Sequence, residues 1–133
     1  MIRVIQKLFR PQRKKRNVIL RTQGEIYDLQ AMYDTLNVEY FDSKLNLNIT
    51  WFGKGMIPKT RILFGSYDHR FQLIKINRYL DREVVPQHFV RYIIYHEMLH
   101  GMVPGYVDER GFFRIHGPEF KRRERLFVDY DKA

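Results

Sequence analysis

The chain has 133 residues, with 24 Lys and Arg against 15 Asp and Glu, and no cysteine. That length is one ordinary domain, and the absence of thiols excludes a disulfide framework, an iron–sulfur cluster, a cysteine nucleophile and a thiolate zinc ribbon. The 44% hydrophobic content, with ten Phe and nine Tyr, suffices for a packed core, and no apolar run reaches the roughly 18 residues of a membrane span.

The net charge of +9 sits almost wholly at one end. Residues 1–24 hold eight Lys and Arg and no acid, whereas the remainder holds 16 basic and 15 acidic side chains. Residues 1–23 therefore read as a basic arm in front of a near-neutral domain, 24–133. Such an arm suits a contact with DNA, with Arg10, Arg13, Lys14, Lys15 and Arg16 as phosphate partners. A solvated leader that only aids solubility has the same charge. Arg3, Lys7 and Arg10 punctuate the apolar residues near the start, so no secretory signal is read. The expectation is a cytoplasmic monomer without membrane contact.

Ile26, Leu29, Tyr33, Leu36 and Tyr40 recur at spacings of three and four, which predicts a helix from about Gly24 to Phe41. Glu25 and Asp28 sit early in it, where negative charge is favoured, and Asp42-Ser43-Lys44 breaks it. Leu45, Leu47, Ile49 and Trp51 alternate with polar residues and predict a strand. Gly53 to Pro58 reads as a turn region. Ile62–Phe64, ending near Gly65-Ser66, and Phe71–Asn77 read as two further strands. Short connections of this kind suit a partly antiparallel sheet.

Pro86 suits the first turn of a helix. The stretch from there to His100 is nearly all apolar, so the helix is expected to be buried. Gly101 and Pro104-Gly105 are expected to end it sharply. Val103–Ile115 reads as an irregular link, Pro118–Val128 as a last helix, and Asp129–Ala133 as a tail.

The buried helix carries His96-Glu97-Met98-Leu99-His100. Helical positions i and i+4 share a face one turn apart, so both imidazoles can reach one zinc ion about 2.0–2.1 Å away. Glu97 is then placed to take a proton from a water at that ion. The competing reading is a pair of hydrogen-bonded core histidines with Glu97 in an ion pair. Burying those three groups together without a metal is costly unless each finds a partner.

A catalytic zinc site needs a third protein ligand and an open fourth position. A third His at position 106 would complete one known pattern, but the residue there is Tyr106. His116 and Glu119, 16 and 19 residues after His100, remain as candidates. His116 is favoured, because Gly117-Pro118 bend the chain just beyond it. Tyr106, Arg114, Tyr67 and His69 could donate to an oxyanion. His69 and His88 are expected at the surface. Arg110, Arg114, Phe112 and Phe113 read as a substrate rim, and the two Phe equally as core.

The sequence resembles the SprT-like metallopeptidase family. The likeness rests on Tyr40–Leu45 with Ile49-Thr50-Trp51, on Ile74–Asn77 with Leu80, and on the pair formed by His96–His100 and His116–Lys121. It implies an α+β, zincin-like fold: a small, mostly antiparallel sheet packed with an N-terminal helix, a buried active-site helix and a C-terminal helix. It also implies one Zn2+ held by His96, His100 and His116, with Glu97 as general base, and hydrolysis of protein or peptide substrates, including DNA-associated proteins. Two other readings fit the residues. One is a basic nucleic-acid-binding protein with a non-catalytic metal site, and the other a metallopeptidase with no nucleic-acid link.

Overall fold

The computed structural model describes residues 19–56 and 62–127. The five basic residues assigned to DNA, Pro58, and the tail from Val128 onward lie outside the described residues. Within them the order is helix α1 (Leu29–Phe41), strands β1 (Asn48–Phe52), β2 (Gly65–Asp68) and β3 (Leu73–Asn77), a 3-10 turn at Arg78–Leu80, and helix α2 (Gln87–Met102). Strands β4 (Tyr106–Val107) and β5 (Phe113–Arg114) and helix α3 (Pro118–Glu124) follow.

The first helix starts later than its apolar spacing predicts. Asp28 is its cap, and its side chain accepts from the Ala31 N–H. The N–H groups of Glu25, Ile26 and Tyr27 instead donate to the Asp81 carboxylate at 2.7, 2.9 and 3.0 Å. A tertiary acceptor thus holds the backbone that would otherwise have made the first turn. Asp42 and Ser43 adopt left-handed conformations and end the helix. Asn37 then locks the exit, donating to the Leu45 carbonyl and accepting from its N–H.

Strand β3 is central, paired parallel with β1 and antiparallel with β2. The β4–β5 ribbon is also antiparallel, so two of the three pairings have the expected sense. Ile49, Trp51, Ile74 and Ile76 are buried. Thr50 is buried as well, because the chain at Arg21 lies along β1: the Arg21 N–H donates to Thr50 Oγ1 and its carbonyl accepts from the Trp51 N–H. Gln72 is left-handed, so β3 begins at Leu73 rather than Phe71. The second strand falls at Gly65–Asp68, beyond the apolar Ile62–Phe64, since its register is set by pairing with β3.

Helix α2 packs against β2 and β3 of the sheet and against α1 and α3. Val90, Ile94, Tyr95, Met98 and Leu99 are buried. The helix runs through Gly101 to Met102 instead of ending at His100. Leu47 and Tyr67 crowd the bare face of Gly101, where a Cβ would lie 2.6 Å from a Leu47 methyl. The link after α2 is a short hairpin, β4–β5, and α3 stops at Glu124, four residues before the expected Val128. This is the α+β, zincin-like arrangement expected from the sequence. No helix among the described residues is long and apolar enough to cross a membrane.

Candidate metal centre

His96 and His100 project from α2 at i and i+4, and the chain returns through the β4–β5 ribbon to bring His116 beside them. One nitrogen from each of the three rings lies within 4.8 Å of the other two. The Nε2 atoms of His100 and His116 are 3.0 Å apart. Two nitrogens bound tetrahedrally to one ion at 2.0–2.1 Å lie roughly 3.3–3.4 Å apart, so this pair is already near ligand spacing. Phe120, fully buried on α3, underlies all three imidazoles, with ring centroids 5.0, 4.6 and 4.9 Å from His96, His100 and His116.

Two of the donors, His100 and His116, are held in the protonation state that a cation needs. Burial, together with neighbouring His96 and His116, pushes His100 down to about 4. Burial and His96 also lower His116. Both rings are therefore neutral at pH 7 and keep a lone pair. The Nδ1 of His96 lies 2.6 Å from Glu124 Oε2. A carboxylate only accepts, so Nδ1 carries a proton, and Nε2 is the nitrogen this contact leaves to an ion. Three imidazoles, with no fourth protein donor grouped with them among the described residues, suit zinc with an open position.

Glu97 is 6% exposed. Burial pushes its carboxyl up to about 7. The close approach of β2 to α2 depends on Gly65, where a Cβ would lie 2.9 Å from the Ile93 methyl and 3.3 Å from Glu97 Oε2. Beside Glu97 opens a cleft of about 640 Å³, lined by His96, His100, His116, Tyr67, His69 and the apolar Leu63, Val103, Phe113 and Ile115. That volume is in the range of small-molecule and peptide side-chain sites.

The other expected residues fall in different places. Glu119 is bound by Arg122 and Arg123 and stands apart from the three imidazoles. Arg114 Nε donates to Asp108 Oδ2 at 2.7 Å, and the Tyr106 ring covers the bare face of Gly117; neither lines the cleft, whereas Tyr67 and His69 do. Phe112 and Phe113 are 59% and 67% exposed and so are not core. The ring of Phe113 lies on Gly105, which has no Cβ to push it off. His69 is exposed and His88 half-exposed.

Sequence reasoning missed Glu124. Its Oε2 accepts from both His96 and the Tyr92 hydroxyl, the latter at 2.7 Å. Burial by itself raises this carboxyl, but those hydrogen bonds and the neighbouring imidazoles outweigh it, and the net shift is downward. Its only signal in the chain is its place four residues after Phe120 on the same helix face.

The comparisons with curated proteins and with solved structures give no match. Among protein families, the SprT-like family matches residues 29–128, a span that contains α1, the sheet, the helix carrying His96 and His100, His116 and α3. The chain belongs to the SprT-like family.

Proposed function

We propose that the protein is a zinc-dependent endopeptidase. The observation that carries this reading is the buried Glu97 carboxyl at the edge of a cleft onto which three imidazoles converge. His96, His100 and His116 would hold the ion, and Glu119 stays outside the ligand set. A bound zinc supplies Lewis acidity to a scissile carbonyl and lowers the pKa of water.

Glu97 acts as the general base. It takes a proton from the attacking water and delivers it to the leaving amine nitrogen. Burial raises this carboxyl, which favours its holding the proton between the two transfers. Tyr67 and His69 line the cleft, and we assign to them the donation to negative charge on the carbonyl oxygen. The apolar wall formed by Leu63, Val103, Phe113 and Ile115 receives substrate side chains and excludes water.

The substrates we infer include DNA-associated proteins. The support for that part is charge: the first 24 residues carry +8, and Lys121, Arg122, Arg123 and Arg125 follow late in the chain. Two of those four are paired to Glu119.

The test compares variants on a labelled unfolded protein. Glu97→Gln is expected to retain one zinc and lose hydrolysis, and His100→Ala to lose both. An active Glu97→Gln protein sinks the peptidase reading. Repeating the assay with single-stranded DNA at two salt concentrations separates the DNA part, since phosphate contacts weaken steeply with salt. Activity indifferent to DNA and salt removes that part and leaves the peptidase.

A further inference from the structure

Helix α3 has only seven residues, too few to be stable alone. It nevertheless presents two side chains, one turn apart, to the cluster of imidazoles. Phe120 lies beneath the three rings. Glu124, with a side chain only 15% exposed, reaches past it to His96 Nδ1. The same oxygen is bound by the Tyr92 hydroxyl, one helical turn before His96 on α2. Tyr92 thus holds Glu124 from the same helix that carries His96.

A neutral imidazole has two tautomers, and only the nitrogen without the proton can bind a metal. His100 and His116 lie close enough to share a proton between their Nε2 atoms. For neutral His96 the Glu124 contact selects between the two, because a carboxylate facing Nδ1 accepts only from Nδ1–H.

We propose that Glu124 is a positioning residue for the metal centre: braced by Tyr92, it fixes His96 as the Nδ1–H tautomer and orients its ring, leaving Nε2 to the ion. The proposal rests on the zinc reading above. Its consequence is that the last helix, far along the chain from the motif on α2, sets the metal affinity. Carboxylate partners of metal-bound histidines are generally worth about 10–100-fold in affinity.

The experiment titrates zinc into the metal-free full chain against a chromophoric chelator. It is paired with the melting temperature of the metal-free protein and the 15N shifts of the His96 ring. The wild type is expected to bind one zinc per chain and to show the Nδ1–H ring before zinc is added. Glu124→Ala is expected to bind zinc about 10–100-fold more weakly and to show a mixture of tautomers. Glu124→Gln should fall between them, since its amide oxygen still accepts from Nδ1–H but carries no charge.

A Glu124 that merely holds α3 in place would lower the melting temperature of the metal-free variant while leaving tautomer and zinc affinity alone. That result overturns the proposal and leaves the zinc reading standing. A wild type that binds no zinc overturns both. Should Glu124→Ala fail to fold, Glu124→Gln and the wild-type ring decide: unchanged affinity in the variant, or an Nε2–H ring in the wild type, overturns the assignment.

Discussion

His116 and Glu119 are three residues apart, yet their side chains end in different surroundings. His116 joins the two imidazoles of α2, while the Glu119 carboxylate is held by two arginines at the surface. The two therefore predict opposite outcomes when removed. His116→Ala is expected to lower zinc affinity by more than the 10–100-fold typical of an outer-shell partner, and Glu119→Ala is expected to keep zinc at wild-type affinity. Zinc content after dialysis checks this, and the reverse pattern would hand the ligand role to Glu119. What the sequence revealed at this scale follows from covalent distance. His96, Glu97 and His100 are tied by helical geometry, so their mutual placement could be read from spacing alone. The partnership of Glu124 with His96 spans 28 residues and depends on how α3 docks, which no local pattern encodes. Arg114 was similarly opaque, since its pairing with Asp108 arises from the turn of the hairpin.

Among the elements, α1 and β1 were legible because each carries a hydrophobic period matching its geometry, and α2 because a long apolar run follows Pro86. The departures lie where a partner elsewhere in the chain competes for backbone groups. Ile26 fits the stripe of α1, yet it is 41% exposed and precedes the helix, because Asp81 draws in the N–H groups of Glu25 to Tyr27. Strand β4 and its partner were invisible because each has two residues and both are exposed on their faces. Their turn is stabilised by Asp108, which accepts from the N–H groups of Arg110 and Phe112 and from Arg114. The Asp81 anchor yields a prediction of stability at this scale. Asp81→Ala removes one charged acceptor from three donors, and a hydrogen bond to a charged group contributes about 1.5–3 kcal/mol net. Because those N–H groups regain water at the surface, a net loss of roughly 2–3 kcal/mol is expected. Urea unfolding reads it as a lower midpoint with an unchanged slope; an unchanged midpoint would mean that the turn before α1 needs no such anchor.

Across the whole molecule, the proposed metal joins two parts of the chain that are otherwise connected through side chains. His96 and His100 belong to α2, while His116 leads directly into α3. Without an ion, α3 is tied to α2 by Phe120 and Phe127 in the core, by the Tyr95 hydroxyl on the Arg123 carbonyl and by the Glu124 contacts. Zinc adds a tie between α2 and the residue that starts this segment, and it binds only the folded arrangement of the three rings. A ligand selective for the native state stabilises it by about 2.7 kcal/mol at a hundredfold excess over its dissociation constant. For a chain of this length that corresponds to roughly 8–13 °C in melting temperature. The gain should be uneven. Hydrogen exchange is expected to slow most between Val103 and Phe127, the segment whose attachment the ion strengthens, and least in the sheet, which is already held by its own pairing. Melting and exchange measured in zinc and again after chelation check this. A melting temperature indifferent to the chelator, or protection spread evenly over α1 and the sheet, would show that the three imidazoles do not act as a tie between α2 and the C-terminal segment.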